Sequence, residues 1–158
     1  MKDKILQTLR PLIGEPLTDM MRFAGIQVFE FGVQRPRKNR KGEDITRADQ
    51  RLHVSCSWEI AGADGFVLSR EDFGPEGVRQ DEKAHPFYES LQTDDAPVVE
   101  AIEADDAGVL RLQLSQGYML QIQPDEMEEE PDEEQWRFLP KDRNQRHLVL
   151  TLQGIGQY

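Results

Sequence analysis

A strict alternation of apolar and polar residues runs from position 52 to position 60. The apolar positions are held by Leu52, Val54, Cys56, Trp58 and Ile60, and a polar residue stands at each position between them. Successive side chains of a β-strand point to opposite faces, so this period of two predicts a half-buried strand. We therefore expect Cys56 and Trp58 to be buried on the core side of a central strand.

Weaker alternations predict further strands, and only one segment has helical spacing. Ile5, Leu6 and Leu9 predict a short N-terminal helix that ends near Pro11, because proline does not fit a helix interior. The other segments that we interpret as strands are 17–33, 66–68, 98–102, 110–115, 118–123, 136–138 and 148–152.

The remaining stretches, 34–50, 70–96 and 124–135, are rich in polar residues and are interpreted as long loops. The sequence therefore predicts one α+β domain over residues 1–158. We expect a mostly antiparallel sheet of about six to eight strands, one short N-terminal helix and long polar loops.

The charge balance restricts the classes of partner. The chain has 30 acidic residues, 19 basic residues and a formal net charge of -11. Phosphate backbones and anionic lipid surfaces are recognised by clustered Lys and Arg, so we expect neither a nucleic-acid partner nor a membrane partner. A partner steered by this charge is expected to be basic. The alternative is that the acidity only keeps the protein in solution.

The most acidic segment, 124–135, reads PDEMEEEPDEEQ and contains eight acidic residues and no basic one. Like charges repel, so an extended loop is expected here. We interpret five glutamates of this segment as candidate partner-binding residues, together with the following tryptophan, which would serve as an aromatic anchor. These residues are Glu128, Glu129, Glu130, Glu133, Glu134 and Trp136. The competing interpretation places Trp136 in the core and gives the acidic residues no role beyond solvating a loop.

A second charged cluster lies in the segment 34–50. It contains Arg35, Arg37, Lys38, Arg40 and Lys41 within an acidic chain. The two interpretations are a contact site for a partner and a solvated loop, and the sequence favours the loop.

No catalytic or metal-binding pattern is recognisable. The chain has neither a glycine-rich phosphate loop nor a Gly-x-Ser-x-Gly turn. His53 and Cys56 are an odd number of positions apart on the predicted strand, so they are expected on opposite faces. We therefore expect no catalytic residue, no cofactor and no metal. The single cysteine and the absence of an apolar leader favour a cytoplasmic location.

Three short motifs carry a resemblance. Phe29–Gly32 reads FEFG, Leu52–Trp58 reads LHVSCSW, and Glu134–Arg137 reads EQWR. In this pattern the chain resembles a family of small bacterial proteins to which no activity is assigned. It departs from that family at Glu59, where a basic residue is usual, and in its longer acidic loop. Some proteins of this size and acidity are similar to immunity proteins, which neutralise bacterial toxins.

These observations favour a non-enzymatic interaction protein, of the immunity type that neutralises a basic toxin or another basic partner. The alternative is a small-molecule binding domain with an apolar pocket on the sheet. That pocket would be lined by Trp58, Phe66 or Tyr118.

Overall fold

The computed structural model describes residues 1–73, 85–126 and 129–158. The α-helices in these ranges are α1 (Lys2–Leu9) and α2 (His85–Ser90). Shorter 3-10 turns are formed by Arg10–Leu12, Ala63–Gly65, Arg70–Asp72 and Ser115–Gly117. The strands are β1 (Leu17–Phe23), β2 (Ile26–Phe31), β3 (Arg35–Lys38), β4 (Asp44–Arg47), β5 (Gln50–Val54), β6 (Ser57–Ala61), β7 (Val67–Ser69), β8 (Val99–Ala104), β9 (Leu110–Leu114), β10 (Met119–Gln123), β11 (Trp136–Leu139), β12 (Leu148–Thr151) and β13 (Gly154–Gln157).

The strands form three antiparallel sheets. One sheet has six strands in the order β1-β2-β5-β11-β12-β13, a second has five in the order β7-β6-β10-β9-β8, and β3 pairs only with β4. The α+β class and the mostly antiparallel pairing are confirmed. The described residues contain 13 strands, more than the six to eight expected, and α2 adds a helix to the N-terminal one.

The alternation at 52–60 belongs to two strands. Strand β5 ends at Val54 in the six-stranded sheet, and β6 begins at Ser57 in the five-stranded sheet. Between them, the Ser55 amide donates to the Gln135 carbonyl at 2.9 Å. The period of two continues through the crossing, so apolar side chains of both strands face one shared core. Cys56 and Trp58 are buried, as predicted, while the expectation of a single strand was wrong.

A second junction joins the sheets at the start of β1. Pro16 forms a bridge with Val98, and the Leu17 amide donates to the Pro97 carbonyl at 2.8 Å. Helix α1 buries Ile5 and Leu9 against the same core. One hydrophobic cluster therefore contains residues from both helices and both larger sheets.

The segment 34–50 was expected to be a loop, and the structure corrects this. Strands β3 and β4 form a hairpin, which pairs Arg35 with Arg47 and Lys38 with Asp44. Its turn is closed by the Asn39 side chain, which accepts hydrogen bonds from two backbone amides at 2.9 Å. The hairpin was not recognised because charge pairs and a side-chain-closed turn hold it, rather than an apolar face.

The structure differs from two further expectations, at the last predicted strand and in the connection 70–96. The last predicted strand, 148–152, is followed by β13, which pairs with β12. The connection 70–96 contains the turn Arg70–Asp72 and helix α2. Residues 74–84 of that connection lie outside the described residues.

The two tryptophans allow a matched test of the core. Both are buried, but Trp136 Nε1 donates to the Gly108 carbonyl at 3.0 Å, whereas Trp58 Nε1 has no hydrogen-bond partner in the described ranges. Trp136→Phe leaves a buried carbonyl unpaired, and Trp58→Phe removes an unpaired donor. We expect the first substitution to lower the free energy of unfolding by about 1–3 kcal/mol more than the second. Urea unfolding of both variants measures the difference, and equal losses would contradict this expectation.

Candidate functional site

Basic residues occupy the outer face of the six-stranded sheet. Leu52 and Phe138 point into the core, so their neighbours on the same strands point outward. His53 on β5 lies opposite Arg137 on β11, and Arg51 lies opposite Leu139 in the same register. The outer surface of these two strands therefore carries two arginines and a histidine.

An open cavity of about 560 Å³ lies beside this face, between the hairpin β3–β4 and the segment 139–147. We call it the basic cleft. Its charged lining residues are Arg37, Lys38, Arg40, Arg47, Arg51, Lys141 and Arg143, together with Asp49 and Asp142. His147 also lines it. Seven lysines and arginines thus face two carboxylates, in a chain whose overall charge is -11.

Much of this positive charge has no carboxylate partner. Arg37 pairs with Asp49 at 2.8 Å, and Arg47 lies 3.8 Å from Glu30. Four other lining residues form no ion pair in the part of the chain that the structure describes: Arg40, Arg51, Lys141 and Arg143. Arg51 is half-buried, and its Nε atom is buried without a hydrogen-bond partner among the described residues.

Burial and neighbouring arginines both lower the pKa of titratable groups on the outer face. Burial lowers the pKa of Arg51, and nearby arginines lower it further against the effect of Glu30. Burial, followed by the charges of Arg51 and Arg137, lowers the pKa of His53 from 6.5 to about 4. The pKa of His147 is lowered by burial and by the same two arginines. Both histidines are therefore expected to be neutral at pH 7.

The imidazole ring of His147 is in contact with the guanidinium group of Arg137. Arg137 Nη1 lies 3.0 Å from His147 Nδ1, and its Nη2 lies 2.6 Å from Glu134 Oε1. Arginine only donates hydrogen bonds, so Nδ1 of His147 accepts and carries no proton. This contact also favours the neutral form of His147.

A buried carboxylate fixes one wall of the cleft. Glu30 on β2 is fully buried, and its Oε1 accepts hydrogen bonds from Gln34 Nε2 at 3.0 Å and from the Ala48 amide at 2.9 Å. These two donors lie at the beginning and the end of the hairpin segment. Glu30 therefore attaches the hairpin to the six-stranded sheet and positions Arg47 at the cleft.

The acidic candidate residues occupy different places. Glu129, Glu130 and Glu133 are exposed, and Glu134 is half-buried against Arg137. Glu128 lies outside the described residues. None of the four described glutamates lines the basic cleft.

Trp136 is fully buried, and its indole nitrogen is bonded to the Gly108 carbonyl. Of the two interpretations given for this residue, the structure shows the core one. The interpretation of Trp136 as an aromatic anchor is therefore replaced, because a ring enclosed by both sheets offers no surface to a partner.

The rings considered for an apolar pocket pack against other rings. Phe66, Phe87 and Tyr118 lie with centroids 4.8–5.7 Å apart. The ring of Trp58 lies within 5.8 Å of two phenylalanine rings. Among the described residues, these aromatic side chains therefore pack against one another.

The remaining groups that could carry chemistry are the cysteine thiol and the potential metal ligands. Burial raises the pKa of the Cys56 thiol to about 12, so the thiolate is not formed near neutral pH. Within residues 1–73, 85–126 and 129–158, no group of three or more His, Cys, Asp or Glu could hold a metal ion. None of the described helices is long and apolar enough to cross a membrane.

Searches of protein-family models, curated proteins and solved structures find no match to this chain. The basic cleft is therefore the feature of this chain that best indicates a function. Sequence reasoning recognised the basic run in 34–50 but did not connect it with Lys141 and Arg143, which lie about a hundred positions later. The available signal was a second local excess of basic residues at 137–146 in an acidic chain.

The pKa of His53 predicts how stability changes with pH. Between pH 6.5 and about 4, His53 is protonated in the unfolded chain but not in the folded protein. The contribution of His53 to the free energy of unfolding is therefore fully present above pH 6.5. It is lost as the pH falls towards 4. One pKa unit corresponds to about 1.4 kcal/mol, so the loss on going from pH 6.5 to pH 4 is about 3 kcal/mol. His53→Gln should flatten this part of the urea-stability profile, and a ring that titrates near 6.5 by NMR would contradict the expectation.

Proposed function

We propose that the protein is a non-enzymatic interaction protein that binds an anionic group of its partner in the basic cleft. The observation that carries the proposal is the set of cations there without carboxylate partners, in a chain with an acidic surplus. Like charges held close together destabilise a folded protein unless an anion compensates them.

The chemistry of the lining residues supports recognition of an oxyanion. Arg51 and Arg143 present planar guanidinium groups, which bind carboxylates and phosphates through paired hydrogen bonds. The Nε donor of Arg51 is already removed from water without a partner, so a bound oxygen would satisfy it. An anion would also raise the depressed pKa values of His53 and His147.

Binding is better supported than catalysis. A general base works best when its pKa lies near the working pH, and the pKa of His53 is about 4. The Nδ1 atom of His147 is occupied by Arg137. The buried Cys56 thiol belongs to the core and has a raised pKa, which makes it a poor nucleophile.

Pyrophosphate is a suitable probe because it is compact and multiply charged. At a concentration about 100 times its dissociation constant, it should raise the free energy of unfolding by about 2.7 kcal/mol. Arg51→Gln and Arg143→Gln should each weaken binding about tenfold or more, because each removes a charge-assisted hydrogen bond. Thermal unfolding and isothermal titration measure the two effects.

Lys2→Gln is the matched control for that experiment. It removes the same charge from an exposed position beside Asp106, away from the cleft, and should leave pyrophosphate binding unchanged. Equal weakening by all three substitutions would mean that only the overall charge matters. No stabilisation of the parent protein by pyrophosphate would remove the support for the cleft as an anion site.

A second candidate function is neutralisation of a basic partner, such as a toxin, by the acidic segment. Glu129, Glu130 and Glu133 are exposed. A hydrogen bond with Glu130, then desolvation, and then the charges of Glu130 and other carboxylates raise the pKa of Glu133. A basic surface would relieve this repulsion, and steering by exposed charge would speed the encounter.

Hexalysine tests this second candidate. Changing Glu129, Glu130 and Glu133 to Gln should slow its association at low salt, and the difference should disappear as salt rises. The matched control changes three exposed glutamates of the five-stranded sheet to Gln: Glu59, Glu100 and Glu103. Stopped-flow fluorescence with a labelled peptide measures the rates. The same slowing in both triple variants would show that the acidic segment has no special role.

A further inference from the structure

A second groove lies beside the basic cleft. It has a volume of about 830 Å³ and lies between the N-terminal helical segment and residues 140–146. We call it the helix groove. Pro140, Lys141 and Asp142 line both the helix groove and the basic cleft, so one loop separates two adjoining depressions.

The helix groove combines positive charge with amide side chains. Lys4, Lys141 and Arg146 are its cations, and Asp142 is its carboxylate. Its other polar lining residues are Gln7, Thr8, Gln50, Gln145 and Gln157. Amide groups both donate and accept hydrogen bonds, which suits a peptide backbone.

One end of the helix groove reaches the free edge of the six-stranded sheet. Gln157 lines the groove and is the last residue of β13, the strand at that edge. His147 and Tyr158 exchange both backbone hydrogen bonds, at 2.8 and 2.9 Å. In an antiparallel pair, bonded positions alternate with non-bonded ones. Ile155 and Gln157 therefore direct their backbone N–H and C=O groups away from β12, towards the open edge.

Strand β13 is short, and within its four residues it carries no charge, proline or bulge. Natural edge strands are often shielded by a charged residue, a proline or a bulge. Strand β13 reads Gly-Ile-Gly-Gln, has no charge, and pairs with β12 in continuous register. At the other edge of the sheet, the start of β1 is bridged to the five-stranded sheet through Pro16 and Val98. In the described residues, the outer side of β13 is thus left without a strand partner.

We propose that an acidic peptide segment of a partner adds to β13 as a further antiparallel or parallel strand. Its backbone pairs with Ile155 and Gln157, and its carboxylates bind the cations of the helix groove and continue into the basic cleft. This inference depends on the proposed function and names the class of partner. Strand addition supplies affinity through main-chain hydrogen bonds, while the charges select an acidic sequence.

A peptide fits these surfaces better than a nucleic acid does. Single-stranded nucleic acids are bound by exposed aromatic rings on which their bases stack. In the described residues, the aromatic rings that line the two depressions are Phe138, which is buried, and His147, which is half-buried and held by Arg137. A free edge of backbone donors and acceptors, by contrast, is the surface that an extended peptide recognises.

The probe is a peptide of about ten residues with alternating glutamate and valine, blocked at both ends and fluorescently labelled. Gln157→Pro removes an outward-pointing amide without breaking a β12–β13 hydrogen bond. We expect Gln157→Pro to bind at least about tenfold more weakly than Gln157→Ala in fluorescence anisotropy, because both variants lose the side chain and only Gln157→Pro also loses the outward-pointing amide. Gln157→Ala controls for the loss of the side chain.

A second peptide tests the backbone contribution directly. Methylation of alternate backbone nitrogens keeps every carboxylate but prevents pairing with a strand, so this peptide should also bind at least about tenfold more weakly. A peptide with lysine in place of glutamate should not bind. Equal binding of the methylated and unmodified peptides, or equal binding by Gln157→Pro and Gln157→Ala, would overturn strand addition.

The result separates this inference from the proposed function. Arg51-dependent stabilisation by pyrophosphate, together with peptide binding that is insensitive to Gln157→Pro, would keep the basic cleft and reject the edge. Gln157→Pro-sensitive peptide binding without any effect of pyrophosphate would keep the edge and reject the anion site.

Discussion

The passage of one extended segment from the six-stranded sheet to the five-stranded sheet organises the whole molecule. Strands β5 and β6 keep the same alternation across Ser55 and Cys56, so their apolar side chains enter one core from two sheets. The alternation that buries Leu52 and Val54 also leaves Arg51 and His53 on the outer face. The position of the candidate site is therefore a consequence of how the core is built.

The uneven distribution of charge depends on the elements that cover this outer face. The hairpin β3–β4 and the segment 139–147 bring basic residues from distant parts of the chain to one cavity. Buried Glu30 anchors the hairpin at both of its ends. A molecule that is acidic as a whole thus has a local positive potential, which acts at short range and is less screened by salt where Arg51 is half-buried.

The sequence predicted the parts of the fold in which packing and periodicity agree. The burial of Trp58 and the meander β8–β10 followed from alternation alone. Periodicity does not identify a strand's neighbours, so the crossing at Ser55 and the partner of Trp136 could not be predicted. The hairpin β3–β4 has no apolar face, and its pairing depends on ion pairs and a turn. The basic cleft was missed for a related reason, since its residues meet only through tertiary structure.

The open edge of β13 has a consequence for how copies of this protein behave towards one another. Two such edges, placed side by side, would join two sheets into one continuous sheet, which is a route to unwanted dimers and fibres. Lys141 and Arg146, in the groove that reaches this edge, give both copies the same positive charge there. Their mutual repulsion opposes self-association, while an incoming strand of opposite charge meets no such barrier. In the proposed strand addition, the same two side chains would therefore disfavour a copy of the chain and favour an acidic one.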